Sequence, residues 1–232
     1  FPYSENELAV EFMKTGEYKN ENEVMVIAVK KCILNSYINL FRELNLKPEV
    51  INIQPMALLS LFEINNQNLN PIMILDIGFK NSHIVIGTSK KIFLSRTFQI
   101  GGKDFTREIS LNYNFQYEEA ERYKIKKMNY EKINYFNSLI KIIVNEIERS
   151  LEFLNTKYEN FLLVENLYLT GGGAKLSGLK EILEKNINLN MNIDFLELTN
   201  IFTQRDFQKI YCNYEYSVVL GLAISEVITD ES

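Results

Sequence analysis

An aspartate and a run of glycines stand at the ends of two apolar segments of this sequence. Residues 72–78, Ile-Met-Ile-Leu-Asp-Ile-Gly, contain Asp76 and Gly78, and residues 167–173 end in the triple glycine 171–173. Glycine has no Cβ, so consecutive glycines let the backbone approach a ligand closely. A carboxylate beside a glycine turn suits a hydrated Mg²⁺ and a phosphate. Together the two segments favour a nucleotide site, although a tight strand-to-helix connection would explain the glycines alone.

Polar residues follow the first of these turns. Lys80, Asn81 and Ser82 come directly after Gly78 and its neighbour. Their donors, with the backbone of Gly78, predict contacts to phosphate, while Asp76 would contact Mg²⁺ through water. The alternative is an aspartate that only turns a hairpin.

A second pair of charged residues has two interpretations. Glu121 and Lys124 lie three residues apart in a segment with helical character. Side chains at this spacing are neighbours on a helix surface, so they could hold a ribose edge by hydrogen bonds. They could equally form a solvated ion pair, and the sequence leaves both open.

Composition excludes several classes of protein. The 232 residues carry a formal net charge of −5, which argues against a nucleic-acid groove. Two cysteines do not make a disulfide framework, and a single histidine excludes a histidine-based zinc site or catalytic triad. No apolar run approaches the roughly 18 residues that span a bilayer. We expect a cytosolic protein of ordinary globular composition.

The periodicity of apolar residues predicts an α/β protein with two regions. The first region contains a hairpin of two strands at 7–12 and 23–30, a helix at 32–46 that ends before Pro48, a short strand at 50–53 and a helix at 56–64. The Asn-rich stretch 65–70 predicts a boundary between domains 1–66 and 67–232. In the second region, we expect strands at 72–78, 83–88, 92–99, 167–170 and 192–196, and helices at 104–113, 117–127, 132–157, 179–185 and 215–228. The helix at 132–157 is predicted to place one stripe in the core: Leu139, Ile142, Ile143, Ile147, Leu151 and Leu154.

The order of these motifs resembles the actin-like ATPase superfamily, in which two related lobes clamp a nucleotide. Within it, the sequence is most similar to the PilM family of type IV pilus assembly proteins, with FtsA-like division proteins next. The resemblance rests on Asp76-Ile77-Gly78, on Ile100-Gly101-Gly102, on the Glu118–Lys124 segment, on Glu146–Leu151 and on Leu169–Ala174. It covers nearly the whole chain.

The resemblance implies an actin-like (ribonuclease H-like) fold, with one complete lobe, part of the other and a small inserted subdomain within 1–66. It implies that Gln54, in the segment linking the lobes, faces the attacking water. It also implies that ATP or ADP with Mg²⁺ binds the intact protein through Asp76, Gly78, Lys80, Asn81, Ser82, Glu121, Lys124, Gly171, Gly172 and Gly173. The hairpin that holds the β- and γ-phosphates in the superfamily is expected to be missing, so this chain alone should bind ATP weakly or not at all.

The resemblance further implies a role and a partner. Proteins of this kind act as cytoplasmic scaffolds of the pilus inner-membrane assembly platform and receive the N-terminal peptide of a PilN-like membrane protein. We expect that peptide at Val26, Tyr37 and Phe41, with at most slow ATPase activity and membrane association only through partners. An FtsA-like polymerising ATPase and a small-molecule kinase of the same superfamily are the alternatives.

Overall fold

The chain divides into two compact units, Phe1–Ile53 and Gln54–Ser232, each of which makes most of its contacts within itself. The computed structural model describes residues 4–65, 70–126, 136–158, 164–196 and 214–229. We call the two parts unit 1 and unit 2. The lobe boundary predicted near residue 66 falls in the undescribed stretch 66–69 and stays a prediction.

Unit 1 begins with an antiparallel hairpin of β1 (Leu8–Tyr18) and β2 (Glu21–Lys30). Lys19 and Asn20 form the two-residue turn, both with positive φ (51° and 64°), the backbone twist that two-residue hairpins favour. The register shifts once, between Lys14 and Gly16. Both strands are longer than predicted, because the polar residues around the turn stay in the ladder.

Helix α1 (Lys31–Glu43) follows β2 directly. It ends three residues before the predicted position, since Asn45 adopts a left-handed conformation (φ 55°). The strand predicted at 50–53 is wrong: these residues have no partner strand in the described part of the chain and form no regular element.

Unit 2 is built on a five-stranded sheet. Its strands are β3 (Ile72–Ile77), β4 (Ser82–Gly87), β5 (Ile92–Phe98), β6 (Asn166–Thr170) and β7 (Asn192–Phe195), in the order β5-β4-β3-β6-β7. The β3-β4-β5 meander is antiparallel, whereas β6 pairs in parallel with β3 and β7 with β6. The mixed sheet with helices confirms the predicted α/β class.

Helices α2 (Gln54–Asn65) and α7 (Ser217–Thr229) pack together and cover one face of the sheet. Their apolar residues form a core with Ile74 and Val85 of the central strands. The strand residues that alternate with these, Met73, Leu75 and Ile84, are also fully buried. Both faces of the sheet are therefore covered, which explains why β3 is a continuous apolar run.

The remaining described helices are α3 (Gly102–Tyr113), α4 (Tyr117–Lys126), α5 (Asn137–Lys157) and α6 (Leu179–Asn186). The predicted start of α5 near residue 132 lies outside the described residues. Of the stripe predicted to be core, Leu139, Ile143, Ile147 and Leu154 are buried and Leu151 is half-buried, but Ile142 is exposed, because it lies about 100° around the helix from Ile143. In the described part of the chain, no helix combines the length and apolar character that a bilayer span requires.

Candidate functional site

The carboxylate of Asp76 lies near the end of β3 and is buried. Gln54, the first residue of α2, donates a hydrogen bond from Nε2 to Asp76 Oδ2 over 2.6 Å. Burial raises the pKa of Asp76 above its usual 3.8, and the Gln54 hydrogen bond and the charge of His83 offset this only in part. The fold thus joins two predicted site residues that lie 22 positions apart.

The turn between β3 and β4 is tied to the start of α3. The Gly78 N–H donates to the Asn81 carbonyl over 3.0 Å, and the Gly78 carbonyl accepts from the Gly102 N–H over 2.9 Å. Lys80 and Asn81 remain exposed, so their side chains are accessible to an anion.

The hydroxyl of Ser82 has a different environment from its neighbours. Ser82 is fully buried and donates to the Ile100 carbonyl over 2.6 Å. This bond joins β4 to the segment that leads into α3. The predicted phosphate contact of this hydroxyl stays a prediction and would require that bond to break.

The three glycines have different surroundings. Gly171 has a positive φ of 83°, and a Cβ built there would overlap Asp76 Oδ1; one built at Gly173 would overlap the Ile77 side chain. Gly171 and Gly173 are therefore required by packing against β3. A Cβ at Gly172 would meet nothing within 4 Å, and Gly172 is exposed. Protein packing explains the outer two glycines and leaves the middle one unexplained.

Glu121 and Lys124, about one turn apart on α4, form an ion pair with 2.7 Å between Glu121 Oε2 and Lys124 Nζ. Lys124 also donates to the Gly102 carbonyl (3.0 Å) and to the Thr106 hydroxyl (2.8 Å), so its three ammonium protons have acceptors. Thr106 contacts the same Glu121 oxygen. Burial raises the pKa of Glu121, but the hydrogen bonds of Lys124 and Thr106 and the charge of Lys124 outweigh it, so the net pKa is below 4.5.

This arrangement is the ion-pair alternative, in a half-buried form that joins α4 to the first turn of α3. The ribose contact stays a prediction. Sequence reasoning missed Thr106, because this residue lies 15 positions before Glu121 and reaches it only when α3 packs against α4. Among the described residues, no group of three His, Cys, Asp or Glu side chains is arranged to hold a metal ion directly.

The end of β6 and the glycine loop are anchored to residues 214–217, the short 3-10 turn and the first residue of α7. Thr170 donates to the Tyr214 carbonyl over 2.8 Å and shares a 2.6 Å hydrogen bond with the Ser217 hydroxyl. The Gly171 N–H donates to the same carbonyl, and Lys175 pairs with Glu215 over 2.8 Å. These contacts fix the glycine loop on both sides. Only the packing of α7 reveals them.

Three further polar side chains of unit 2 have partners within the protein. Arg96 and Arg149 each pair with Glu146 over 3.2 Å. His83 shares a 2.9 Å hydrogen bond with Thr97 on the neighbouring strand, so the single histidine is a paired strand residue.

The residues predicted to receive a peptide lie in unit 1 and are all exposed. Val26 is on β2, directly opposite Phe12 of β1, and Tyr37 and Phe41 lie one turn apart on α1. The exposed fraction is 43% for Val26, 62% for Tyr37 and 39% for Phe41. No residue of α1 is buried. Other apolar residues of the hairpin and of α1, including its C-terminal end, are also exposed: Val10, Val24, Ile33, Leu40 and Leu44.

Comparison with solved structures finds a PilM-PilN type IV pilus biogenesis complex, with a TM-score of 0.77 and 26% identity over 98% of this chain and 68% of that chain. MreB5 of Spiroplasma citri bound to ADP matches with a TM-score of 0.58 and 17% identity over 88% of this chain and 67% of that chain. The ethanolamine utilization protein EutJ from Carboxydothermus hydrogenoformans matches with a TM-score of 0.52 and 17% identity, over 81% of this chain and 59% of that chain. The last two likenesses concern the fold alone.

No curated protein matches the sequence. A family model described as type IV pilus assembly protein PilM matches residues 1–227, almost the whole chain. The match agrees with the actin-like fold and with the order of the motifs in unit 2. The chain therefore belongs to the PilM family of type IV pilus assembly proteins.

Proposed function

We propose that this protein is a cytoplasmic scaffold of the type IV pilus assembly platform that docks the N-terminal cytoplasmic peptide of a PilN-like inner-membrane protein on unit 1. The observation that carries the proposal is the exposure of Val26, Tyr37 and Phe41 together on a unit whose helix has no buried residue. Exposed apolar clusters on folded proteins commonly mark interaction sites. The PilN-containing complex found among similar structures supports the choice of partner.

The test is a titration of the PilN-like peptide against the protein with Tyr37→Ser. Tyr37 is 62% exposed, so its loss should leave the melting temperature unchanged. Peptide affinity should fall by about 1 to 3 kcal/mol, the usual effect of removing an aromatic interface anchor. Asn35→Ser, an exposed polar change on the same helix, is the matched control and should alter neither quantity.

A lower melting temperature with unchanged affinity per folded molecule would make Tyr37 a structural residue and end the assignment of this surface. Equal effects of Tyr37→Ser and Asn35→Ser on affinity would also contradict it, because they would show that the apolar ring is not the recognised group.

A second function, binding of ATP with Mg²⁺ in the intact protein, is favoured by a separate observation. Gly172 is exposed and has no protein atom where its Cβ would stand, on a loop next to the buried carboxylate of Asp76. A backbone left bare beside a carboxylate fits a ligand with phosphate groups and a hydrated cation. Asp76 would contact the metal through water, with Gly78, Lys80 and Asn81 toward phosphate and Glu121 and Lys124 toward ribose.

Bound Mg²⁺ would neutralise phosphate charge, and Gln54 would orient a water molecule, at most for slow hydrolysis. Gly172→Val tests the nucleotide site, because it adds a branched side chain where the protein itself has room. Calorimetry with Mg-ATP on the intact protein should show that Gly172→Val loses binding while its thermal stability is unchanged. Wild-type affinity in the variant would reduce the glycine run to a structural turn.

An FtsA-like polymerising ATPase would instead assemble into filaments on ATP addition, and a kinase of this superfamily would phosphorylate a small molecule.

A further inference from the structure

A fully buried hydroxyl on α3 lies beside the ion pair of α4. Thr106 has no exposed surface. Its hydroxyl contacts the Glu121 carboxylate, accepts from the Lys124 ammonium over 2.8 Å and lies 3.0 Å from the Gly102 carbonyl. A threonine hydroxyl has a single proton to donate. Because Lys124 already donates to the Gly102 carbonyl, the Thr106 proton is available for Glu121, the charged acceptor that forms the stronger bond.

The ammonium of Lys124 has all of its protons engaged within the protein. Their three acceptors are the Gly102 carbonyl, the Thr106 hydroxyl and Glu121 Oε2. The Lys124 side chain is also only 12% exposed. A ligand hydroxyl that accepted a hydrogen bond from Lys124 would have to displace one of these acceptors. Lys124 therefore suits the role of a group that holds Glu121 better than that of a direct ligand contact.

The two carboxylate oxygens of Glu121 have different surroundings. Oε2 accepts from both Lys124 and Thr106. Oε1 accepts no hydrogen bond from the residues that the structure describes, and the side chain is 35% exposed. A carboxylate oxygen accepts strong hydrogen bonds from hydroxyl groups. Oε1 is therefore the atom of this network that remains for a ligand hydroxyl.

The same network is tied to the turn between β3 and β4. The Gly102 carbonyl accepts from Lys124, and the Gly102 N–H donates to the Gly78 carbonyl over 2.9 Å. These bonds fix the carboxylate of Glu121 relative to the turn that is proposed to contact phosphate. A contact that is ordered before the ligand arrives costs less entropy on binding.

We propose that Thr106 is a positioning residue for nucleotide selection: together with Lys124, it holds Glu121 Oε2, and Glu121 Oε1 accepts a hydrogen bond from a ribose hydroxyl. This inference rests on the proposed nucleotide binding. It narrows the ribose contact from the Glu121–Lys124 pair to one oxygen of Glu121. A site built to hydrogen-bond a hydroxyl discriminates against the analogue that lacks it.

The test is calorimetric titration of the intact protein with the Mg²⁺ complexes of ATP, 2′-deoxy-ATP and 3′-deoxy-ATP. The wild type should prefer ATP over one of the two analogues by about tenfold or more, the effect of one hydrogen bond to a charged group. Thr106→Val has a similar volume but no hydroxyl, so the preference should fall to about threefold or less. Thr106→Ser keeps the hydroxyl and should retain the wild-type preference.

Ser110→Ala is the matched control on the same helix. The Ser110 hydroxyl donates to the Phe115 carbonyl over 2.7 Å and does not contact Glu121. Its loss should lower the melting temperature about as much as Thr106→Val does, because each removes one internal hydroxyl of α3. The preference for ATP over the deoxy analogues should keep its wild-type value.

Each other outcome contradicts a stated part of the inference. An unchanged preference in Thr106→Val, or an equal loss in Ser110→Ala, would make Thr106 a structural residue. Thr106→Ala, which also lacks the hydroxyl, answers the same question if Thr106→Val does not fold. Equal wild-type affinity for the three nucleotides would overturn the contact of Glu121 Oε1 and leave ATP binding in place. Failure of the intact wild type to bind Mg-ATP would overturn both the nucleotide function and this inference.

Discussion

The two units of this chain use apolar residues in opposite ways. In unit 2, the central strands are buried on both faces and residues such as Leu75 and Ile84 have no exposed surface. In unit 1, Leu8 is the one buried apolar side chain that the structure describes, and large side chains such as Phe12 and Tyr37 are mostly exposed. Apolar burial dominates folding stability, so unit 2 has its own core whereas unit 1 has apolar surface to offer a partner.

The same contrast predicts which positions tolerate substitution. A change in unit 2 should appear in the free energy of unfolding, and a change at an exposed apolar residue of unit 1 should appear in binding. Four measurements test or refine this difference.

The largest effect is expected at Gly171. Gly171→Ala adds a Cβ that would overlap the Asp76 carboxylate at a backbone φ of 83°, so the loop and β3 must move apart. We expect unfolding free energy to fall by about 4 kcal/mol, the range of severe strain and overpacking. Gly172→Ala, with open space around its Cβ, is the control and should stay within about 0.5 kcal/mol of wild type in urea unfolding. Equal stability of the two variants would contradict the close packing of the loop on β3.

The next effect compares the two units directly. Ile143→Ala removes a fully buried side chain of α5 and should cost about 3 kcal/mol. Leu40→Ala in α1 removes a side chain that is 51% exposed and should cost less than about 1 kcal/mol. Ile142→Ala, the exposed neighbour in α5, should resemble Leu40→Ala. A similar loss for Leu40→Ala and Ile143→Ala in thermal unfolding would mean that unit 1 has a core of its own.

Asp76→Asn should separate function from stability within unit 2. Asparagine keeps the volume and can still accept from Gln54, but it loses the charge, so Mg-ATP affinity of the intact protein should fall by about tenfold to a hundredfold. The free energy of unfolding at neutral pH, by contrast, should increase. Because burial raises the pKa of Asp76, the wild type loses stability as pH rises through that pKa, while the variant does not.

The variant should therefore be more stable than wild type at neutral pH, with the difference vanishing below pH 3.8, where both side chains are neutral. Calorimetric titration measures the Mg-ATP affinity, and urea unfolding at neutral pH and below pH 3.8 measures the stability. Unchanged nucleotide affinity, or lower stability at neutral pH, would contradict the placement of a costly buried charge at a binding site.

The sequence predicts local structure and motif order well, because apolar periodicity and glycine placement are local properties. It identifies the strands around Asp76 and the glycine run. It does not identify Thr106 or Ser217, whose relevance arises when distant helices pack on the site. It also cannot identify the hydrogen-bond partner of the Ser82 hydroxyl, because only the fold brings the Ile100 carbonyl to it. The exposure of Tyr37 likewise depends on which helix face the fold leaves uncovered.

The smallest effect is expected for the ion pairs. Glu121→Gln removes the charge paired with Lys124, whose ammonium keeps its bonds to Gly102 and Thr106, so at neutral pH the cost should be at most about 0.5 kcal/mol. The pKa of Glu121 is lowered, so its stabilisation is present above 4.5 and is lost as pH falls. Glu17→Gln in unit 1, which breaks an exposed pair with Lys14, is the control and should have no measurable effect.

The same variant decides between the two interpretations of Glu121. A ribose contact would make Glu121→Gln weaken nucleotide binding in the intact protein far more than it weakens folding. A purely structural ion pair would give the small loss of stability alone, with the affinity for Mg-ATP unchanged. Paired urea unfolding and calorimetric titration of Glu121→Gln and Glu17→Gln distinguish these results, because only a residue at the nucleotide separates affinity from stability.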